Sequence, residues 1–116
     1  ELSLILITHA HLDHCGALPY FLANYNYKKK IYMTKPTKDI YHYLVRDTLK
    51  SETNKPYLLN NKLETHVANF NYRFWNTSVI KGIKITSYVA GHIVGAAMFI
   101  IEIDGVKILY TGDYSC

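Results

Sequence analysis

The chain has 116 residues, 49% of them hydrophobic, with a formal net charge of +4 and a sequence pI near 9.0. That is apolar material for the core of one domain at most, and it excludes the disordered and fibrous classes. The basic excess is compatible with nucleic acid but is too modest to point there by itself.

Residues 2–7, LSLILI, form a short apolar run that predicts a buried strand. The polar stretch THAHLDH follows as a loop. A helix is expected from about Cys15–Gly16 through ALPYFLANY, with Pro19 in its first turn. KKIYMT, residues 29–34, reads as a second strand. Residues 36–50 read as an amphipathic helix with Pro36 near its start and Ile40, Tyr43 and Leu44 on one face, extended by Asp47 or Thr48. SETNKPYLLNNK is polar and punctuated, as a surface loop would be, and LETHVANFNYRFWN is ambiguous between a short helix and irregular structure. IKITSYVA, residues 83–90, alternates like a strand. AAMFIIEI, Asp104–Gly105 and VKILYT form a β-hairpin by turn chemistry, because Asp-Gly suits a two-residue loop at positive φ. The order strand, helix, strand, helix and then a run of strands defines an α/β protein of mixed sheet with helices. No internal repeat or low-complexity tract is present.

Two lone cysteines, Cys15 and Cys116, make no disulfide framework and fit an intracellular protein with reduced thiols. No apolar run is long enough for a membrane span, so no membrane partner is expected. The chain opens on an apolar run with neither initiator methionine nor signal-type segment, and a piece of a longer protein is expected. The abundance of Asn, Lys and Tyr (NYNYKKK, LLNNK) reads as genome base composition rather than function.

Costly polar side chains gather just beyond predicted strand ends. His9, His11, Asp13 and His14 follow LSLILI, His92 follows IKITSYVAG, and Asp113 follows VKILYTG. Strand ends at one sheet edge lie together, so these distant segments can converge. Imidazole and carboxylate are ligands for zinc and similar divalent ions. Asp13 and His14 are chain neighbours and cannot easily face the same centre as the His9–His11 pair. A two-metal site is the economical arrangement: His9, His11 and His92 on one ion, Asp13 and His14 on the other, with Asp113 bridging through its two oxygens. His42 and His66 lack spaced partners and read as solvent-facing. Cys15 reads as a small packed residue rather than a ligand, Lys28–Lys30 as a solvated face, and the tyrosines as core and surface filler.

HAHLDH resembles the H-x-H-x-D-H signature of the metallo-β-lactamase fold superfamily. HLDHCGALPYFL, MTKPTKDIY and AGHIVGAAMFIIEIDGVKILYTGDYS resemble its β-CASP branch, and most of all the family of endonuclease subunits that cut pre-mRNA in 3′-end cleavage and polyadenylation. The resemblance covers nearly the whole chain and weakens between about residues 50 and 80. It implies part of an αβ/βα sandwich of the metallo-β-lactamase type. It also implies two zinc ions held by His9, His11, Asp13, His14, His92 and Asp113, with Asp13 and Asp113 the candidate catalytic carboxylates. The implied partners are pre-mRNA and the other subunits of the processing complex, including an inactive paralogue and scaffold proteins, in the nucleus.

Family members also carry an upstream strand-end aspartate, a downstream β-CASP domain and later histidines that supply a further metal ligand and a general acid. Residues 1–116 are therefore expected to be part of a metallo-β-lactamase domain, with the first ion's protein ligands complete and the second's incomplete, and to be inactive alone. Alternatives are the catalytic subunit of the Integrator complex, another hydrolase of the fold, and a non-catalytic scaffold subunit. The GHIVGAAMF and TGDYS text argues against the second, and the intact ligand positions against the third.

Overall fold

The computed structural model describes residues 2–29, 31–51, 67–70 and 76–115. Its elements in chain order are β1 (Ile5–Leu6), α1 (Leu12–Cys15), α2 (Leu18–Asn24), β2 (Ile31–Thr34), α3 (Lys35–Ser51), β3 (Val67–Phe70), β4 (Asn76–Ile80), β5 (Ile83–Val89), β6 (Ala97–Ile103) and β7 (Val106–Tyr110). The strands segregate by direction. β1, β2 and β3 form a parallel sheet in that order, with Ile5 opposite Ile31 and Ile31 opposite Val67. β4 to β7 form an antiparallel meander, with Ile85 opposite Ile101 and Phe99 opposite Tyr110. The mixed α/β expectation holds, with the two strand directions in separate sheets.

Strand periodicity explains how these layers stack. Successive side chains point to opposite faces, and around β1 both faces are apolar. Ile5 and Ile7, with Ile31 and Met33 of β2, pack with Cys15, Leu18, Leu22, Tyr41 and Val45 of the helices. Leu4, Leu6 and Tyr32 turn the other way and pack on Ile85, Ala97 and Phe99 of the antiparallel sheet. The parallel sheet is thus covered by helices on one face and by the second sheet on the other, which is why LSLILI is apolar without alternation.

Several elements differ from expectation. The first strand is shorter than residues 2–7: Leu2 is exposed and only Ile5–Leu6 is paired as strand, although the Ile7 N–H still donates to the Tyr32 carbonyl at 2.9 Å. The stretch after it is not all loop, because Leu12–Cys15 makes one helical turn, and the helix expected from about Cys15–Gly16 begins later, as α2 at Leu18, with a proline at its start. Among the described side chains of α3 the fully buried ones are Thr37 and Tyr41, while Tyr43 is 69% exposed. The predicted stripe was rotated because it counted Tyr43 as apolar, whereas its ring lies in solvent. β3 falls in the ambiguous stretch, and β4 was not foreseen. The β4–β5 hairpin turns on Lys81–Gly82, both at positive φ, in the same manner as Asp104–Gly105 in the β6–β7 hairpin. Ser51, expected to open the loop SETNKPYLLNNK, is instead the last residue of α3; the rest of that loop, together with Lys30, His66 and Cys116, lies outside the described residues. No helix among the described residues is long and apolar enough to cross a membrane.

Candidate metal centre

Three segments meet where β1, β5 and β7 end, and backbone contacts fasten them. The Thr8 carbonyl accepts the Ala97 N–H at 2.9 Å, joining the end of β1 to the start of β6. The Ala90 carbonyl accepts the Ser115 N–H at 2.9 Å, joining the His92 loop to the segment after β7. Gly112 lies directly on Thr8: a Cβ at this position, whose φ is +54°, would stand 2.8 Å from both the Cβ and the Oγ1 of Thr8. Only glycine permits that approach, and Asp113 is the next residue.

The ligand-type side chains converge accordingly. One atom from each of His9, His11, His92 and Asp113 lies within 4.8 Å of the others, and the same is true of Asp13, His14 and Asp113. The His9 ring centroid is 4.9 Å from that of His11, 5.0 Å from His92 and 4.2 Å from His14. Asp113 Oδ2 is 3.6 Å from His9 Nε2, 3.6 Å from His92 Nε2 and 3.3 Å from His14 Nε2. Asp13 Oδ2 is 3.3 Å from His14 Nε2, and His92 Nε2 is 3.1 Å from His11 Nδ1. Ligands at 2.0–2.1 Å from a tetrahedral ion are separated by about 3.4 Å. The observed spacings bracket that value.

His9 tests whether these residues suit a cation. Its side chain is fully buried, yet Nε2 has no hydrogen-bond partner. Burial lowers the imidazole pKa, the nearby His14 and His11 lower it further, and Asp113 opposes them. Nδ1 lies 3.0 Å from Thr8 Oγ1. A neutral ring that donates from Nδ1 to Thr8 keeps the Nε2 lone pair toward Asp113, as a metal-ligating histidine requires. An unpaired buried nitrogen is costly without such a partner. The residues fit a divalent cation.

Local structure delivers the remaining groups. His11 is the N-cap of α1 but makes no capping bond through its side chain, so the ring is free to meet His92. Asp13 and His14 ride on the α1 turn, which supplies the second group that shares Asp113.

The other singled-out residues stand apart. Cys15 is buried among Ile7, Leu18, Met33 and Tyr41, and burial, then Asp13, raises its thiol pKa. His42 sits on α3, edge-on to Tyr41 at 5.9 Å. Lys28 is exposed, but Lys29 is more than a solvated charge: its Nζ donates to the Leu2 carbonyl at 2.8 Å. Sequence reasoning missed Thr8. Its only signal was a hydroxyl immediately before the first histidine at a strand end.

A family model described as the metallo-beta-lactamase superfamily domain matches residues 1–115, and the chain belongs to that superfamily. Within it, the chain is 42% identical over 119 residues to "Cleavage and polyadenylation specificity factor 73" of Drosophila melanogaster, covering 99% of this chain and 17% of that protein. It is 43% identical over 120 residues to "Cleavage and polyadenylation specificity factor subunit 3" of Dictyostelium discoideum, covering 99% and 16%. It is 40% identical over 125 residues to "Endoribonuclease YSH1" of Yarrowia lipolytica, covering 98% and 14%. The chain thus spans less than a fifth of the length of these relatives. A crystal structure of an Enterococcus faecalis protein of unknown function shares the fold with a TM-score of 0.62 at 23% identity, over 96% of this chain and 24% of that one.

Proposed function

We propose that this chain is the metal-holding part of a zinc-dependent endoribonuclease that cuts pre-mRNA in 3′-end cleavage and polyadenylation. The observation that carries the reading is the convergence of His9, His11, Asp13, His14 and His92 around the carboxylate of Asp113. The chain-long similarity to proteins named for cleavage and polyadenylation, and to one named an endoribonuclease, supports the substrate class. The corresponding partners are pre-mRNA and the other subunits of the processing complex, an inactive paralogue and scaffold proteins among them, and the corresponding location is the nucleus. Residues 1–116 form part of a metallo-β-lactamase domain, which in the whole protein is joined by a β-CASP domain.

His9, His11 and His92 would hold one zinc ion and Asp13 with His14 a second, Asp113 serving both. When bound, such a pair supplies a nucleophilic water at neutral pH and offsets charge on the phosphoryl oxygens. The chain's own residues fix the geometry. Thr8 holds the His9 ring by Nδ1, so that its lone pair stays available at Nε2. Asp113 keeps one oxygen within 3.6 Å of three imidazoles. Asp13, exposed beside His14, offers a carboxylate oxygen that can accept a proton from the attacking water and orient it.

The Asp13, His14 and Asp113 group is a sparse ligand set for a second ion, and residues 1–116 taken alone are expected not to cut RNA. The test is cleavage of a fluorescent RNA by the full-length protein and by residues 1–116. The full-length protein should cut, lose activity to a chelator, regain it with zinc and fail as His9→Ala. Cutting that survives chelation would overturn the reading.

A further inference from the structure

We infer that Thr34 and Thr37 are positioning residues for His92, holding its loop at the metal site through the carbonyl of Gly95. The inference rests on the metal reading above and extends it to residues outside the ligand set.

Thr34 ends β2 and precedes the first residue of α3, so it occupies the N-cap of that helix. Its Oγ1 lies 3.4 Å from the Thr37 N–H, as a capping oxygen should. The same oxygen lies 2.7 Å from the Gly95 carbonyl oxygen, and Thr37 Oγ1 lies 3.1 Å from it. Each hydroxyl has a single proton and a carbonyl has two lone pairs. Thr34 Oγ1 also lies 3.0 Å from Thr37 Oγ1, so its one proton serves either that oxygen or Gly95; in both arrangements Thr34 accepts from the Thr37 amide and the Thr37 hydroxyl donates to Gly95. Thr34 and Thr37 are 1% and 0% exposed, so water does not compete for these bonds.

Gly95 is three residues beyond His92, and its backbone is seated on the start of α3. At its φ of +87°, a Cβ would stand 2.8 Å from the Thr37 nitrogen and 2.9 Å from the Pro36 Cβ. The other end of the loop is fixed at Ala90, whose N–H donates to Ala96 and whose carbonyl accepts from Ser115. His92 lies between the two anchors. Its side chain is 28% exposed, so packing around the ring alone does not set its direction. The parallel sheet, through Thr34, thereby fixes a ligand that belongs to the antiparallel one.

Capping of α3 is the competing role for Thr34, and Thr37 separates the two. Thr37→Val deletes a hydroxyl bonded to Gly95 and leaves the Thr34 cap in place. The experiment is zinc titration of full-length protein against a chromophoric chelator, with the visible spectrum of the cobalt-substituted form and circular dichroism on the same samples. Thr37→Val should weaken zinc binding at the His9, His11 and His92 group about 10-fold, as loss of outer-shell support does, and should change the cobalt spectrum. Thr37→Ser should restore both, with folded content equal in all. Unchanged zinc affinity and cobalt spectrum in Thr37→Val would overturn the inference. So would a weakening that Thr37→Ser does not restore, or one that tracks loss of folded protein. A wild type that binds no zinc, or binds it equally well as His92→Ala, would instead overturn the metal reading, and this inference with it.

Discussion

The Oδ2 of Asp113 stands 3.6 Å from the Nε2 of His9, a half-exposed carboxylate against a wholly buried imidazole nitrogen that has no hydrogen bond. The same oxygen is 3.3 Å from His14 and 3.6 Å from His92. A single side chain thus belongs to both groups of ligand-type residues. Asp113→Ala in the full-length protein should therefore lose both ions and reduce RNA cleavage more than His14→Ala, which touches one. Metal content and cleavage measured on the two variants check this. Equal residual cleavage with metal content unchanged would remove the bridging role.

Thr8 acts through His9. Its hydroxyl is the partner of Nδ1, and the pair is buried. Thr8→Val keeps the shape that Gly112 packs on but leaves the imidazole without its anchor. Zinc affinity should fall about 10-fold, and Thr8→Ser should stay near wild type. A chelator-competition titration reads both, and an unchanged affinity in Thr8→Val would show that packing alone orients the ring.

Much of this site was legible because its chemistry is local in sequence. Four ligand-type residues within six positions, at the end of an apolar run, cannot be explained as ordinary surface, and His92 and Asp113 stand at equivalent strand ends. The hairpin at Asp104–Gly105 was legible for the same reason, since its turn residues carry the positive φ that it needs. What escaped depends on contacts distant in the chain. Thr34 and Thr37 gain their meaning only when Gly95 lies against them. β4 escaped because Lys81 is an uncommon residue for a positive φ, so Lys81–Gly82 did not read as a hairpin turn. The inward face of α3 was misread because tyrosine serves in both environments: Tyr41 is buried and Tyr43 is exposed.

Cys15 sits two residues from Asp13 but belongs to the core. It is 2% exposed, and burial raises its thiol pKa, so little thiolate forms at neutral pH. Alkylation of Cys15 in the native protein should be far slower than in denaturant, with or without zinc. Peptide mass analysis after timed iodoacetamide treatment checks this. Fast native labelling that zinc suppresses would make Cys15 part of the metal site.

The two sheets are held together at Phe99, which is fully buried against the cluster that includes Leu4, Leu6 and Tyr32. Phe99→Ala should destabilise the protein by about 3–5 kcal/mol through lost burial and the cavity left behind. Tyr43→Ala, on the solvent side of α3, should change stability by no more than about 0.5 kcal/mol. Urea unfolding of the two variants beside wild type gives the comparison. Similar losses in both would mean that the face of α3 has been assigned wrongly.

His9, His11, Asp13, His14, His92 and Asp113 are expected to hold two ions. Elemental analysis of purified full-length protein, wild type and His92→Ala, tests it most directly. The expected result is two zinc ions per wild-type chain and a clear deficit in His92→Ala, whose ring stands 3.1 Å from His11 in the first group. A wild-type protein that cuts RNA while carrying no divalent metal, or an identical metal count in the two, would contradict it.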